Sequence, residues 1–251
     1  MKRRNFLKIV SFGGALTVAS KMTLDAFSGN ADSNAKSGKR WAMVIDTRKC
    51  IEQGSGCTKC MDACNKVHNI PLFEDKKDEI KWIWKEKYEY AFNTSENRFL
   101  PGDINDKKIP LLCNHCENPP CVNVCPTQAT WKREDGIVMM DWHRCIGCRY
   151  CIAACPYGSR SFNWRDPRPA LDKINKSFPT RMKGVVEKCT FCDERIARGQ
   201  VPACVEVCDA GAMHFGDLNN PESEIRNILS NNFSIRRKPE LTTGPEVYYI
   251  V

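Results

Sequence analysis

No apolar run in these 251 residues reaches the length that a bilayer-spanning helix needs. The nearest approach, Ile9 to Ser20, is short and softened by Gly13, Gly14 and Ala15. Also missing are a glycine-rich nucleotide loop and a nucleophile–base signature. These absences leave no substrate chemistry to assign from motifs. Charged and apolar fractions are ordinary, at 27% and 42%, so the chain reads as a globular protein, long enough for one large domain or two small ones.

Cysteine is abundant instead, with 16 residues. The organising stretch is Cys113-x2-Cys116-x4-Cys121-x3-Cys125-Pro126, then eighteen residues, then Cys145-x2-Cys148-x2-Cys151-x3-Cys155-Pro156. The second run has the bacterial ferredoxin spacing, including the proline after its fourth cysteine. Three thiolates two residues apart can wrap one face of an iron–sulfur cube, while the fourth cysteine reaches a second cube. Two rival uses fit less well. Disulfides would require cysteines in tight loops to find distant partners with demanding geometry. Structural zinc uses separated pairs rather than four-membered runs with a trailing Cys-Pro.

Two outer runs complete the set. They are Cys50-x6-Cys57-x2-Cys60-x3-Cys64 and Cys189-x2-Cys192-x11-Cys204-x3-Cys208, and neither ends in Cys-Pro. Crossover of the fourth ligand between the central runs gives Cys113, Cys116, Cys121 with Cys155, and Cys145, Cys148, Cys151 with Cys125. By symmetry the outer runs pair with each other, as Cys50, Cys57, Cys60 with Cys208, and Cys189, Cys192, Cys204 with Cys64. The expected cofactors are four [4Fe–4S] clusters on sixteen cysteines, with no catalytic residue of the chain's own.

The formal charge of +8 invites a nucleic-acid reading. Five Lys/Arg against one Asp in residues 1–31 account for +4 of it. Oxidised cubes with four thiolates carry about −2 each, so four would contribute roughly −8. The basic balance is part leader and part compensation.

The expected fold class is α+β, with two ferredoxin-like dicluster modules, the second inserted into the first. The expected boundaries are a leader and linker at 1–35, an outer module at 41–107 and 181–217, a central module at 108–165, and a C-terminal helix and strand extension at 218–251. Trp41 to Asp46 reads as a buried strand. Ile51 to Gly56 reads as a loop bulging after Cys50. Trp82, Trp84, Tyr88, Tyr90 and Phe92, mostly at period two, read as one face of a strand that covers the clusters or meets a partner. Asp135-Gly136 between two strand-like runs signals a hairpin. Asp193 to Arg198, followed by Gly199, reads as a short helix, and Asn220-Pro221-Glu222 as the start of another that ends near Leu229. Val247 to Ile250 reads as a closing strand. His115 and His143 adjoin candidate ligands and are assigned surface or hydrogen-bonding roles. The opening Arg3-Arg4, followed by Phe6-Leu7-Lys8, resembles a twin-arginine export signal, which places the mature chain in the periplasm or on the outer face of the cytoplasmic membrane.

Cys113-Asn114-His115-Cys116-Glu117-Asn118-Pro119-Pro120-Cys121-Val122-Asn123-Val124-Cys125-Pro126 resembles the hallmark of four-cluster electron-transfer subunits. These accompany molybdopterin oxidoreductases, some hydrogenases and formate-dependent nitrite reduction. Residues 41–50, 78–85 and 235–241, with Val247-Tyr248-Tyr249, are further similar to DsrO-type subunits of DsrMKJOP membrane complexes. That resemblance implies an exported electron relay whose partners are an NrfD-like polytopic quinone-interacting subunit, a multihaem cytochrome c and the other complex subunits. It competes with a beta subunit of a molybdopterin-dependent reductase and with a zinc- or disulfide-stabilised structural protein.

Overall fold

Ten strands occur among the described residues: β1 Trp41–Asp46, β2 Ile83–Lys87, β3 Lys108–Leu112, β4 Thr130–Lys132, β5 Val138–Met140, β6 Ser161–Phe162, β7 Val186–Glu187, β8 Met213–Asp217, β9 Ser234–Ile235 and β10 Val247–Ile250. The structure is a computed structural model that describes residues 38–93 and 104–251. The Arg3-Arg4 leader lies outside the described residues.

The apolar run of β1 is explained by burial on both faces. The strand is hydrogen-bonded on both edges, antiparallel to β8 and parallel to β10, in a sheet of order β8-β1-β10-β9. Alternation sends Met43 and Ile45 to one face and Ala42 and Val44 to the other. Met43 and Ile45 join the main core with Met213, Val247 and Tyr249. Ala42 and Val44 pack with Ile225 of the helix Glu224–Asn231 and with Ile250. Gly216 permits that helix to approach, since a Cβ there would lie 2.9 Å from Ile225 Cγ2. The expected C-terminal extension thus supplies two of the four strands of the sheet, with β10 lying between β1 and β9.

The β1–β8 ladder brings the two ends of the cysteine-bearing chain together. Ile45 pairs with Met213, and the Asp46 N–H donates to Ala212 O at 2.7 Å. Three two-stranded antiparallel ladders, β2–β3, β4–β5 and β6–β7, fill the intervening stretch. Arg133 to Ile137 join β4 to β5, and Gly136 has φ +88° there, so the Asp-Gly hairpin is present. The boundary expected between 107 and 108 falls at the end of the β2–β3 ladder, in which Lys87 faces Lys108. Among the described residues no helix is long and apolar enough to cross a membrane.

Three local expectations need correction. The stretch after Cys50 is not simply a loop: the helix Thr47–Glu52 carries Cys50, and Asp46 caps it by accepting from the N–H groups of Arg48 and Lys49. The aromatic stripe is not one strand face. β2 ends at Lys87 and a helical turn, Tyr88–Ala91, follows, which sets Tyr88 and Phe92 in ring contact at 4.8 Å and leaves Tyr90 61% exposed. Trp82, Tyr88 and Phe92 are core residues. The last helix begins at Glu224 rather than at Asn220, with Pro221 in the turn before it.

The loop-like stretch before Arg181 is anchored by a buried ion pair. Arg181 Nε lies 2.8 Å from Glu187 Oε2, and both side chains are fully buried. Trp82 Nε1 donates to the same oxygen at 3.0 Å, and Asn163 Nδ2 donates to the other. Arg181 also donates to the carbonyls of His68, Asn69 and Pro179. Removing one partner would leave a charge buried without compensation. Arg181→Met is expected to cost ~3–5 kcal/mol, read as a lower urea midpoint by Trp fluorescence; an unchanged midpoint would mean that the pair contributes no net stability.

Candidate metal centres

The cysteines are carried on short helical turns, which lets the chain present a side chain and then leave within a few residues. The helix Lys59–Val67 carries Cys60 and Cys64, and the turns Pro120–Asn123, Tyr150–Ala153 and Ala203–Glu206 carry Cys121, Cys151 and Cys204. In three Cys-x2-Cys loops the second intervening residue has positive φ: His115 at 43°, Gly147 at 71° and Phe191 at 56°. A side chain in that region costs about 1–2 kcal/mol. Only Gly147 signals it in the sequence.

Cys50, Cys57, Cys60 and Cys208 line one pocket, together with Lys85. The Ala212 N–H donates to Cys208 Sγ at 3.4 Å. Burial, and then the neighbouring Cys50, push the Cys60 thiol up to about 11 against the opposing pull of Lys85. Lys85 Nζ is itself buried without a hydrogen-bond partner.

Cys64 is surrounded by Cys189, Cys192 and Cys204. Burial first, and those three neighbours next, hold its thiol well above the ordinary range. Backbone N–H groups of Phe191 and Ala203 donate to Cys189 Sγ and Cys192 Sγ, each at 3.4 Å. His68 Nδ1 lies 3.5 Å from Cys64 Sγ, and its Nε2 lies 3.2 Å from Glu194 Oε1. The group His68, Cys192 and Glu194 therefore belongs to this site.

Cys113, Cys116, Cys121 and Cys155 line a further pocket with Pro119 and Pro120. Burial, followed by Cys113, raises the Cys116 thiol to about 12. Cys125 and Cys145 pack on the apolar cluster that contains Cys151, while Cys148 is exposed. Cys125 shifts the other way. Despite some burial, N–H groups of Thr130, Ala129 and Thr127 and the Thr127 hydroxyl bring its thiol below the ordinary value.

Cysteines of neighbouring sets adjoin one another. Cys60 is an electrostatic neighbour of Cys64 and Cys204. Cys189 is one of Cys113, and Cys121 is one of Cys151. All sixteen cysteines are free of disulfides. Sulfur-only donor sets, crowded, buried and met by N–H groups, fit iron–sulfur clusters.

Residues 105–170 and 173–218 match the family described as 4Fe-4S dicluster domain. Over 99% of its length the chain is 39% identical to the Hdr-like menaquinol oxidoreductase iron-sulfur subunit 1 of Archaeoglobus fulgidus, covering 97% of that protein. The chain belongs to the family of ferredoxin-type iron–sulfur electron-transfer subunits. It is also 38% identical to the menaquinone reductase iron-sulfur cluster-binding subunit of Nitratidesulfovibrio vulgaris, over 84% of this chain and 88% of that one. A third relative in this iron–sulfur subunit family is the protein NrfC homolog of Haemophilus influenzae, 36% identical over 99% of this chain and 94% of its own.

The two histidines beside the cysteine runs take different places. His115 is fully buried, its Nδ1 accepting from the Val138 N–H at 3.0 Å and its ring stacked on Phe191 at 3.7 Å. Burial, and then Lys188 and Arg160, hold its pKa well below the ordinary imidazole value, which suits a neutral acceptor. His143 is exposed. Arg160 and Lys188 are buried cations beside the cysteines, and no periodicity or motif marked them. At Gly147 a Cβ would overlap the Gly184 carbonyl oxygen. Gly147→Ala is therefore expected to disturb the Cys145–Cys151 loop and lower bound iron, with loss confined to one of the EPR signals. Full iron content in that variant would show that the loop tolerates the shift.

Proposed function

We propose that the chain is an exported electron relay holding four [4Fe–4S] clusters within a DsrMKJOP-type membrane complex. Each cysteine set described above holds one cluster, and each cluster supplies one-electron exchange. The observation that carries this reading is the succession of cysteine sets, in which most inner members are enclosed and each end set has members open to solvent. Cys64, Cys189, Cys192 and Cys204 are buried, as are Cys113, Cys116 and Cys121, while Cys155 is half-buried. At one end Cys50, Cys57 and Cys208 are half-buried, and at the other Cys148 is exposed.

The residues have distinct tasks. Thiolates hold the iron. The N–H groups of Phe191, Ala203 and Ala212 stabilise negative charge on sulfur. The apolar surroundings limit water at the inner sets, where Cys155 alone is half-buried, so solvent meets the relay chiefly near its ends. A quinone-linked partner is supported by the two relatives named for menaquinol and menaquinone reactions. The polytopic NrfD-like subunit, the multihaem cytochrome c and the outer-face location follow from the resemblance to DsrO-type subunits and the Arg3-Arg4 leader.

Two experiments test this. Anaerobic detergent pull-down of the tagged protein from native membranes, read by mass spectrometry and haem staining, is expected to recover a polytopic membrane subunit and a multihaem cytochrome. Recovery of a large molybdopterin subunit instead would reassign the chain to a reductase as its beta subunit. Separately, Cys64→Ser is expected to remove one cluster's EPR signal and leave those of the central sets. Loss of every signal would show that the sets assemble as one unit.

A further inference from the structure

Two buried cations lie at the junctions between cysteine sets, and both face the same one. Arg160 is 5% exposed, and its Nη2 donates to Cys121 Sγ at 3.0 Å and to Thr130 Oγ1 at 2.9 Å. Its electrostatic neighbours are Cys121, Cys151 and Cys113, which places it between the Cys113 set and the Cys145 set. Lys188 is fully buried. Its Nζ donates to Val138 O, and to Cys189 O at 2.8 Å. Burial and then Arg160 pull its pKa down, and the neighbouring Cys113, Cys189 and Cys121 oppose them, which sets it between the Cys113 set and the Cys189 set.

Among the described residues neither cation has an ion pair with a carboxylate. A charge removed from water needs an opposite charge nearby. Here the opposite charge comes first from the sulfur sites, with Asp193 a further electrostatic neighbour of Lys188. The nearby imidazole, His115, accepts from the Val138 N–H through Nδ1, and the buried carboxylate of Glu187 is matched by Arg181.

We infer that Arg160 and Lys188 act as positioning charges that raise the reduction potential of the cluster at Cys113, Cys116, Cys121 and Cys155, making it the electron-holding station of the relay. The inference rests on the cluster reading given above. Reduction adds one negative charge to a cluster, and a fixed cation in a low-dielectric interior stabilises the reduced form more than the oxidised one. The two neighbouring clusters each feel one of these cations; the Cys113 cluster feels both. These two charges therefore favour an electron there over either adjoining set.

The test is a redox titration, followed by EPR, of the anaerobically purified full chain with dithionite as reductant. Arg160→Gln is expected to lower two potentials, those of the Cys113 and Cys145 sets. Lys188→Gln is expected to lower those of the Cys113 and Cys189 sets. The signal that moves in both variants is the Cys113 cluster. At a fixed ambient potential its reduced-to-oxidised ratio should fall about tenfold in each, equivalent to ~59 mV for one electron. Arg160→Lys keeps the charge and should titrate close to the unaltered protein. Unshifted potentials in iron-replete Gln variants would overturn the inference, as would an Arg160→Lys shift as large as that of Arg160→Gln. Should the Gln variants shed iron, Arg160→Lys decides. Iron and potential kept there support the charge, and iron lost there overturns it in favour of a shape requirement. An unaltered protein without iron–sulfur signals would instead refute the cluster reading itself.

Discussion

Packing sulfur ligands side by side in a protein interior is the constraint on which the rest of the structure depends. Buried thiols resist ionisation, and each neighbour deepens the resistance, as the raised thiols of Cys64, Cys116 and Cys204 show. Holding such sets as thiolates requires cationic iron, aimed N–H groups and, at some sites, fixed positive side chains. The short helical turns and left-handed loops serve this requirement. They expose backbone N–H groups to sulfur where a longer helix would have spent them on its own carbonyls.

The topology serves the same end. Cys50 and Cys208 are 158 positions apart in the sequence, yet they share a pocket because β1 and β8 are paired just beyond them. Likewise the helices Lys59–Val67 and Ala203–Glu206 pack together and bring Cys64 beside Cys204. Parallel pairing of β1 with β10 locks the end of the described chain into the same sheet. Closing the sheet therefore closes the outer cysteine sets. Folding and site assembly are two views of one event in the outer part of the chain, whereas the β4–β5 hairpin places the central sets by local contacts.

How much of this could be read from residues alone follows from the range of the forces involved. β1, the Asp-Gly hairpin and β10 were legible because alternation, turn chemistry and apolar runs are local signals. The cysteine runs were legible because their spacing is local, and the fold gathers members of separate runs into shared pockets. The helix carrying Cys50 was not, since six residues give too little periodicity, and its cap, Asp46, reads equally well as a strand end. The aromatic stripe misled for a related reason. Period two over Trp82 to Phe92 also contains the four-residue spacing of Tyr88 and Phe92, and tertiary packing chose the helical turn. Arg160 and Lys188 carried no local mark at all. A lysine after a short apolar run looks like a solvated strand end until Val138 and Cys189 are seen to accept from it.

A third cation sharpens the meaning of those two. Lys85 Nζ is buried and unpartnered at the Cys50 pocket, so a positive side chain is not peculiar to the Cys113 set. What differs is the surrounding dielectric. Cys50, Cys57 and Cys208 are half-buried, so water and ions can answer a charge change there. In the Cys113 set three members are buried and Cys155 alone is half-buried, so the same unit charge acts with less screening. Equal charges placed along a relay therefore do not act equally. Those at the enclosed middle weigh most, and the structure puts two of its buried cations there, against the one cysteine set that both can reach.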